Sequence, residues 1–344
     1  MVSKYKPIFL LYLLFATVLF ANTTKDMLNR EVTIPQQSKK VFSASPAMTI
    51  ILYALAPETM IGVNYRFLEV EKKFMLEDTT KLPVLGSFFS ASNQANLEKV
   101  LSLSPDIVFM WDIVRKNGQY FEQTLKKFDI PVAYIAQSTI PQMLDAITTM
   151  GVFLKKEERA KELVAYAQNN LDRVEKSVKN LPQNSKKRVY LAQGKNGLTT
   201  ECIGNMQSQI IPLVGAINVH RCDGLKKGSS RKSKITLETL YRYDPDVIFV
   251  WDKAFFDSIK DLKTWRNLKA FKNNQIYFSP ISPFNWLSRP PSIIRFLGAV
   301  WMHNKLYPEH FKIDINEEVR SFYKLFLHKN LTNQEINQLI KGEK

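Results

Sequence analysis

A sixteen-residue stretch, Leu97 to Asp112 (LEKVLSLSPDIVFMWD), returns as Leu237 to Asp252 (LETLYRYDPDVIFVWD), an offset of 140 residues. The two copies share Leu, Glu, Pro, Asp, Phe, Trp and Asp at equivalent places, and most other positions are apolar in both. A chain with this internal copy is built as one supersecondary unit used twice. Each unit reads as a short amphipathic helix ending ahead of Pro105 or Pro245, because proline disfavours helix in the residue before it. The runs Ile107 to Trp111 and Val247 to Trp251 are short, rich in β-formers and apolar on both faces, which is the pattern of a buried parallel strand. Each strand carries a Trp-Asp pair to its carboxyl end, where open α/β sheets place ligands. One such Trp is as readily a core residue; two at matching strand ends point to a shared cleft.

The copies lie on either side of a segment without strands, Pro141 to Leu181. Apolar residues at Ala160, Leu163, Val164, Ala167, Leu171, Val174 and Val178 form one helical stripe that stops before Pro182. A helix over Glu157 to Leu181 would be about 37 Å long at 1.5 Å per residue. A rod of that size connects two lobes. The alternative, a helix lying on one lobe's surface, leaves the repeat without a reason.

The remaining elements alternate helix and strand. Lys39 to Ser45 reads as a strand running into the N-cap Ser45 with Pro46 at the first helical position, then a helix over Ala47 to Ala56. Strands are expected at Met60 to Asn64, Pro131 to Ile135, Arg188 to Ala192 and Gln275 to Phe278, and a short apolar segment at Ala216 to Val219. Helices are expected over Gln119 to Phe128, Met206 to Val214, Ser292 to Leu306 and Asn316 to Ile340. Gly86 to Ser92, Gln193 to Asn205, Gly224 to Lys234 and the proline-rich Ile281 to Pro291 read as loops. Alternation of this kind argues for parallel sheets covered on both faces.

With 344 residues and 45% apolar composition the chain can bury two real cores. Met1 to Ala21 has a basic start (Lys4, Lys6), an apolar run from Ile8 to Phe20 and a small residue at its end. This reads as a secretory signal; about 13 apolar residues fall short of the roughly 20 a spanning helix needs. An uncleaved anchor is the alternative, and with no Cys after Ala21 a lipid-anchored form has no support. In an oxidising compartment Cys202 and Cys222, 20 residues apart, are most simply a disulfide, worth about 3 kcal/mol. Two free buried thiols, or a metal site of Cys222 with His220 and Asp223, stay open beside it. The net charge of +16 is spread along the chain without a nucleic-acid-binding motif, so nucleic acid is not the expected partner.

Five segments in fixed order carry a resemblance: Val41 to Asn64 (VFSASPAMTIILYALAPETMIGVN), both repeat units, Ile210 to Val219 (IIPLVGAINV) and Asn285 to Pro308 (NWLSRPPSIIRFLGAVWMHNKLYP). Together they make the chain similar to the periplasmic solute-binding proteins of ABC importers for ferric siderophores, haem, cobalamin and related metal chelates. The resemblance implies two Rossmann-like α/β lobes with parallel sheets joined by a single long rigid helix, the class III architecture. The corresponding division is a signal peptide at 1–21, an N-terminal lobe at 22–140, a helical linker at 141–182, a C-terminal lobe at 183–311 and closing helices at 312–344. It also implies that Glu98 and Glu238, one per lobe, dock on arginines of a permease dimer in the inner membrane; read from sequence alone they are solvated helix carboxylates.

For the ligand, the loops at strand ends supply Tyr65, Arg66, Phe89, Trp111 and Arg115 from the first lobe, and Gln193, Thr200, Trp251, Phe284, Trp286 and Arg289 from the second. Aromatic walls bury rings and methylenes of a chelator, and arginine forks hold its carboxylate or catecholate oxygens. Arg289 could equally be a structural ion-pair partner. Family members that complete an iron shell with His and Tyr have no counterpart pair here, so no protein-held metal and no resident cofactor are expected. The expected ligand is a preformed metal chelate, a ferric siderophore first, with a nickel or cobalt chelate, haem or cobalamin behind it, bound by a periplasmic monomer. Two rivals are weaker. A tetrapyrrole metal chelatase would want a His and a carboxylate poised in the cleft, and only His220 comes near. A secreted polyanion binder would leave the paired Trp-ended strands without a role.

Overall fold

The computed structural model describes residues 22–88, 94–222 and 232–341. The expected signal segment Met1 to Ala21, Phe89 and most of the Gly224 to Lys234 loop lie outside the described residues. Strands β1 (Thr23–Lys25) and β2 (Glu31–Thr33) form an antiparallel hairpin that the sequence reading did not contain. Strands β3 (Val41–Ser43), β4 (Ile107–Trp111) and β5 (Val132–Ile135) form a parallel sheet in that order. In the second half run β6 (Arg188–Ala192), β7 (Thr199–Glu201), β8 (Ile217–Asn218), β9 (Lys232–Lys234), β10 (Val247–Val250) and β11 (Ile276–Phe278). Four of these make a second parallel sheet, ordered β11-β10-β6-β8, while β7 and β9 pair antiparallel beside it.

The repeated units occupy the same place in each sheet. Their helices, Leu97–Ser102 and Leu237–Tyr243, are capped by Asn96, which accepts from Lys99 N at 2.9 Å, and by Thr236, which accepts from Thr239 N at 3.2 Å. The Asp of each Pro-Asp pair pins the start of the neighbouring strand. Asp106 accepts from Lys39 N and Lys40 N at 2.8 Å, and Asp246 from Arg188 N at 2.8 Å. The repeated aspartate therefore sets the register of β3 against β4 and of β6 against β10, which is a structural reason for its presence in both copies.

Between the sheets the linker helix spans Glu157–Lys179, 23 residues or about 34 Å. It packs on the Ile140–Leu154 helix that precedes it and on the second lobe's Arg295–Leu306 helix. The helix Ile315–Leu327 packs against Pro46–Leu55 of the first lobe and against Arg295–Leu306. The Tyr53 hydroxyl donates to Leu327 O at 2.8 Å, and Arg159 of the linker donates to Ala54 O at 3.3 Å and also to Leu325 O. One hydrophobic core consequently runs from β4 and β5 through the linker to β6 and β10, and each lobe keeps a smaller core on its far face. Gly298 shows how closely this joint is packed: a Cβ there would lie 1.9 Å from Trp286 O.

Several expected elements differ in detail. Met60 to Asn64 is no strand: Met60 makes a single bridge to Val41 and Val63 a single bridge to Val84, because the chain passes from one neighbour to the other within three residues. Gln193 to Asn205 contains β7, whose short polar sequence pairs with the equally polar β9. Met206 to Val214 divides into a 3-10 turn, Met206–Ser208, and a helix, Ile210–Leu213. The helix expected from Ser292 begins at Arg295, and Asn316 to Ile340 is two helices, Ile315–Leu327 and Asn333–Lys341.

Candidate functional site

The carboxyl ends of both sheets carry buried polar atoms that have no hydrogen-bond partner among the described residues. In the first lobe these are Ser43 Oγ at the end of β3, Trp111 Nε1 at the end of β4, and Gln137 Oε1 and Ser138 Oγ just past β5. In the second they are Gln193 Oε1 after β6, Trp251 Nε1 after β10 and Ser279 Oγ after β11, with Thr200 Oγ1 on β7. Buried polar groups are normally satisfied, since leaving one unpaired costs about 1–3 kcal/mol. Their collection at the strand ends of both lobes gives the arrangement a concentration of donors and acceptors suited to a polar ligand.

The lobes meet at this end. Gln209 Nε2 donates to Ser138 O at 3.0 Å, and the Phe67 and Phe284 rings lie edge to face at 6.3 Å. Tyr65 is half-buried, packs on Phe67 at 5.5 Å, and burial holds its hydroxyl in the neutral form by raising its pKa. Asn64 fixes the first-lobe edge by donating to Ser43 O and Gly86 O, each at 2.9 Å, while accepting from Thr49 Oγ1 at 2.6 Å. Asp112 follows Trp111, and burial raises the pKa of its carboxyl. Its counterpart Asp252 instead caps the helix Lys253–Ser258 by accepting from Phe255 N at 2.9 Å.

The second lobe holds a buried charge cluster. Glu201, fully buried at the end of β7, accepts from Arg289 Nε at 3.1 Å and Nη2 at 3.0 Å, from Asn205 Nδ2 at 2.7 Å and from Gln193 Nε2 at 3.1 Å. Arg295, also fully buried, donates through Nη2 to Met206 O at 3.1 Å and to Gln207 Oε1 and Ser288 O at 3.2 Å. Its Nε and Nη1 have no partner among the described residues. Burial lowers its pKa to about 9, so it stays cationic at neutral pH. Lys232 on β9 is held below its ordinary pKa, first by burial and then by Arg289. Among the described residues, Arg289, the buried Arg295 and the exposed Lys232 thus stand around the Glu201 carboxylate.

Trp111 and Trp251 stand half-buried at matching strand ends. Gln193 and Thr200 are buried beside Glu201, and Arg289 is paired with it. Arg66 and Arg115 are exposed. Phe284 is buried against Phe67, and Trp286 lies fully inside the core against Trp301 at 6.2 Å and Tyr323 at 6.3 Å. The expectation that Trp286 lines the cleft is therefore corrected: the proline-rich loop folds inward and its tryptophan packs on the Arg295–Leu306 helix. Glu98 and Glu238 are exposed in the first turns of the two repeat helices. Cys202 and Cys222 are joined in a disulfide, Cα–Cα 5.6 Å. The residues sequence reasoning missed are Glu201, Arg295, Gln137 and the serines at the strand ends. Only Arg295 left a signal, as an arginine inside the apolar run Ile293 to Val300.

No helix of the described residues is long and apolar enough to cross a membrane. The sequence profile of the periplasmic binding protein family matches residues 43–282, more than half of the chain. A solved ABC transporter solute-binding protein from Sulfurospirillum deleyianum is 31% identical, with a TM-score of 0.85 over 93% of this chain and 99% of that one. A molybdate-binding protein of Haemophilus influenzae is 24% identical over 88% of this chain and 89% of its own length. An Fe(3+)-citrate-binding protein of Bacillus subtilis is 22% identical over 70% and 76% respectively. With its two-lobed architecture and its polar strand ends, the chain belongs to the periplasmic binding protein family, the substrate-binding proteins of ABC importers.

Proposed function

We propose that this protein captures an anionic metal chelate between its lobes, a ferric chelate first, and delivers it to an ABC-importer permease. The observation that carries the reading is the set of unpartnered buried polar atoms at the strand ends of both lobes, with an indole N–H from each copy of the repeat. The fully buried Arg295, with Nε and Nη1 unpartnered among the described residues, supports an anionic cargo, and half-buried Trp111, Trp251 and Tyr65 suit an organic shell. A relative that binds ferric citrate fits that chemistry. The fully buried Arg295 supports a second reading, a compact oxyanion such as the molybdate bound by the Haemophilus relative.

Intrinsic tryptophan fluorescence separates these readings. The chain without residues 1–21 is titrated with ferric citrate, a ferric catecholate, a ferric hydroxamate, nickel–histidine, haem, cobalamin and molybdate. Saturable quenching by a ferric chelate, and not by its metal-free form, is the expected result. A response to molybdate alone would favour the oxyanion, and a flat panel would remove the chelate reading. Glu98 and Glu238 are proposed as the docking pair, the protein acting as a periplasmic monomer after signal removal.

A further inference from the structure

The disulfide has a third partner. Cys222 Sγ lies 3.1 Å from His220 Nε2, and Cys202 Sγ, Cys222 Sγ and a ring nitrogen of His220 all lie within 4.8 Å of one another. The other ring nitrogen, Nδ1, is 2.9 Å from the Tyr243 hydroxyl at the end of the Leu237–Tyr243 helix. This is how ligating histidines are usually oriented, by a hydrogen bond on the far side of the ring. Cys202 and His220 are buried.

The backbone holds Cys202 and His220 together without help from the sulfur–sulfur bond, and Cys222 follows His220 by two residues. Ile203 N donates to His220 O at 2.8 Å, and His220 N donates to Asn218 Oδ1 at 3.1 Å. Cys202 O accepts from Ser208 Oγ at 2.7 Å and from Asn205 N at 3.1 Å. When the sulfurs separate, Cys202 and His220 keep these bonds, and Cys222 stays tied to His220, two positions before it in the chain. A zinc-class ion, with Zn–S near 2.3 Å and Zn–N near 2.0 Å, places its ligand atoms about 3.5 Å apart, a spacing inside the 4.8 Å that spans the three donor atoms here.

We propose that Cys202, Cys222 and His220 form a redox-gated site for a soft divalent ion. The disulfide closes the site. A dithiol reductant opens it: its two thiols become a disulfide as the protein's disulfide becomes two thiols, and the ion then displaces the two thiol protons. Three protein ligands leave a fourth position for water or a small donor. The inference does not depend on which solute the cleft takes.

The test uses the chain without residues 1–21, treated with a water-soluble phosphine, which becomes its oxide by taking oxygen from water as both sulfurs become thiols. Co2+ is added as the probe. The expected result is one Co2+ per reduced chain with a thiolate-to-cobalt absorption band, and no such band from the oxidised chain. His220→Ala should weaken the reduced chain's affinity at least tenfold, and Tyr243→Phe about tenfold. No band from the reduced chain, or a band unchanged in His220→Ala, overturns the proposal. A reduced chain that loses its far-ultraviolet circular dichroism and does not regain it with Co2+ overturns it as well.

Discussion

Glu201 is the buried charge at the centre of the second lobe's polar cluster. A fully buried carboxylate needs its charge answered, and here Arg289 answers it with two nitrogens while Asn205 and Gln193 complete the shell. Arg289 has a side chain 30% exposed, so water screens part of the pair. Breaking a wholly buried pair costs about 3–5 kcal/mol, and an exposed one under about 1. Arg289→Ala is therefore expected to lower the unfolding free energy by about 2 kcal/mol in urea denaturation; a change within error would show that Glu201 does not need it. Trp111 and Trp251 were legible in sequence because the repeat marks both strand ends. Trp286 and Glu201 were not: a tryptophan in a proline-rich loop can face either way, and no local pattern tells a buried carboxylate from a solvated one. Both outcomes are decided by partners about 15 to 90 residues away, such as Trp301 and Arg289.

At the scale of elements the joint between lobes is a set of helices locked by buried polar contacts. His303, fully buried in the Arg295–Leu306 helix, places Nδ1 2.9 Å from Val214 O and Nε2 2.8 Å from Ser177 Oγ on the linker helix. Burial is the largest cause holding its pKa below the ordinary value, and the same is true of His328, which contacts Tyr53 O at 3.0 Å. Both groups are neutral in the fold, whereas the unfolded chain takes up their protons below about pH 6.5. Their contribution is thus complete above that pH and is lost as pH falls through the folded values. Thermal melts are expected to show a lower Tm at pH 5 than at pH 7.5, with a smaller drop in His303→Gln; an equal drop in both would contradict this assignment. The repeat units and the linker were readable because apolar periodicity and proline punctuation are local. The β7–β9 pair was not, because three-residue polar strands carry no periodicity and form only through a partner over 30 residues away.

Across the whole molecule, one core runs from the first sheet through the linker to the second. The lobes are therefore expected to move little, and the exposed Glu98 and Glu238, the proposed docking pair, keep a fixed relation. Charge reversal at both, Glu98→Arg with Glu238→Arg, is expected to abolish capture by the permease dimer in a detergent pull-down while leaving solute affinity unchanged. Capture equal to wild type would remove the docking assignment. One solute is proposed to be held by strand ends of both lobes at once. Calorimetric titration of ferric citrate into the wild type, Trp111→Ala and Trp251→Ala tests it most directly. One-to-one binding, weakened at least tenfold (about 1.4 kcal/mol) by either substitution, is the predicted result. Binding unaffected by both substitutions, or sensitive to only one, would contradict a site shared between the lobes, and no heat from the wild type would exclude ferric citrate as cargo.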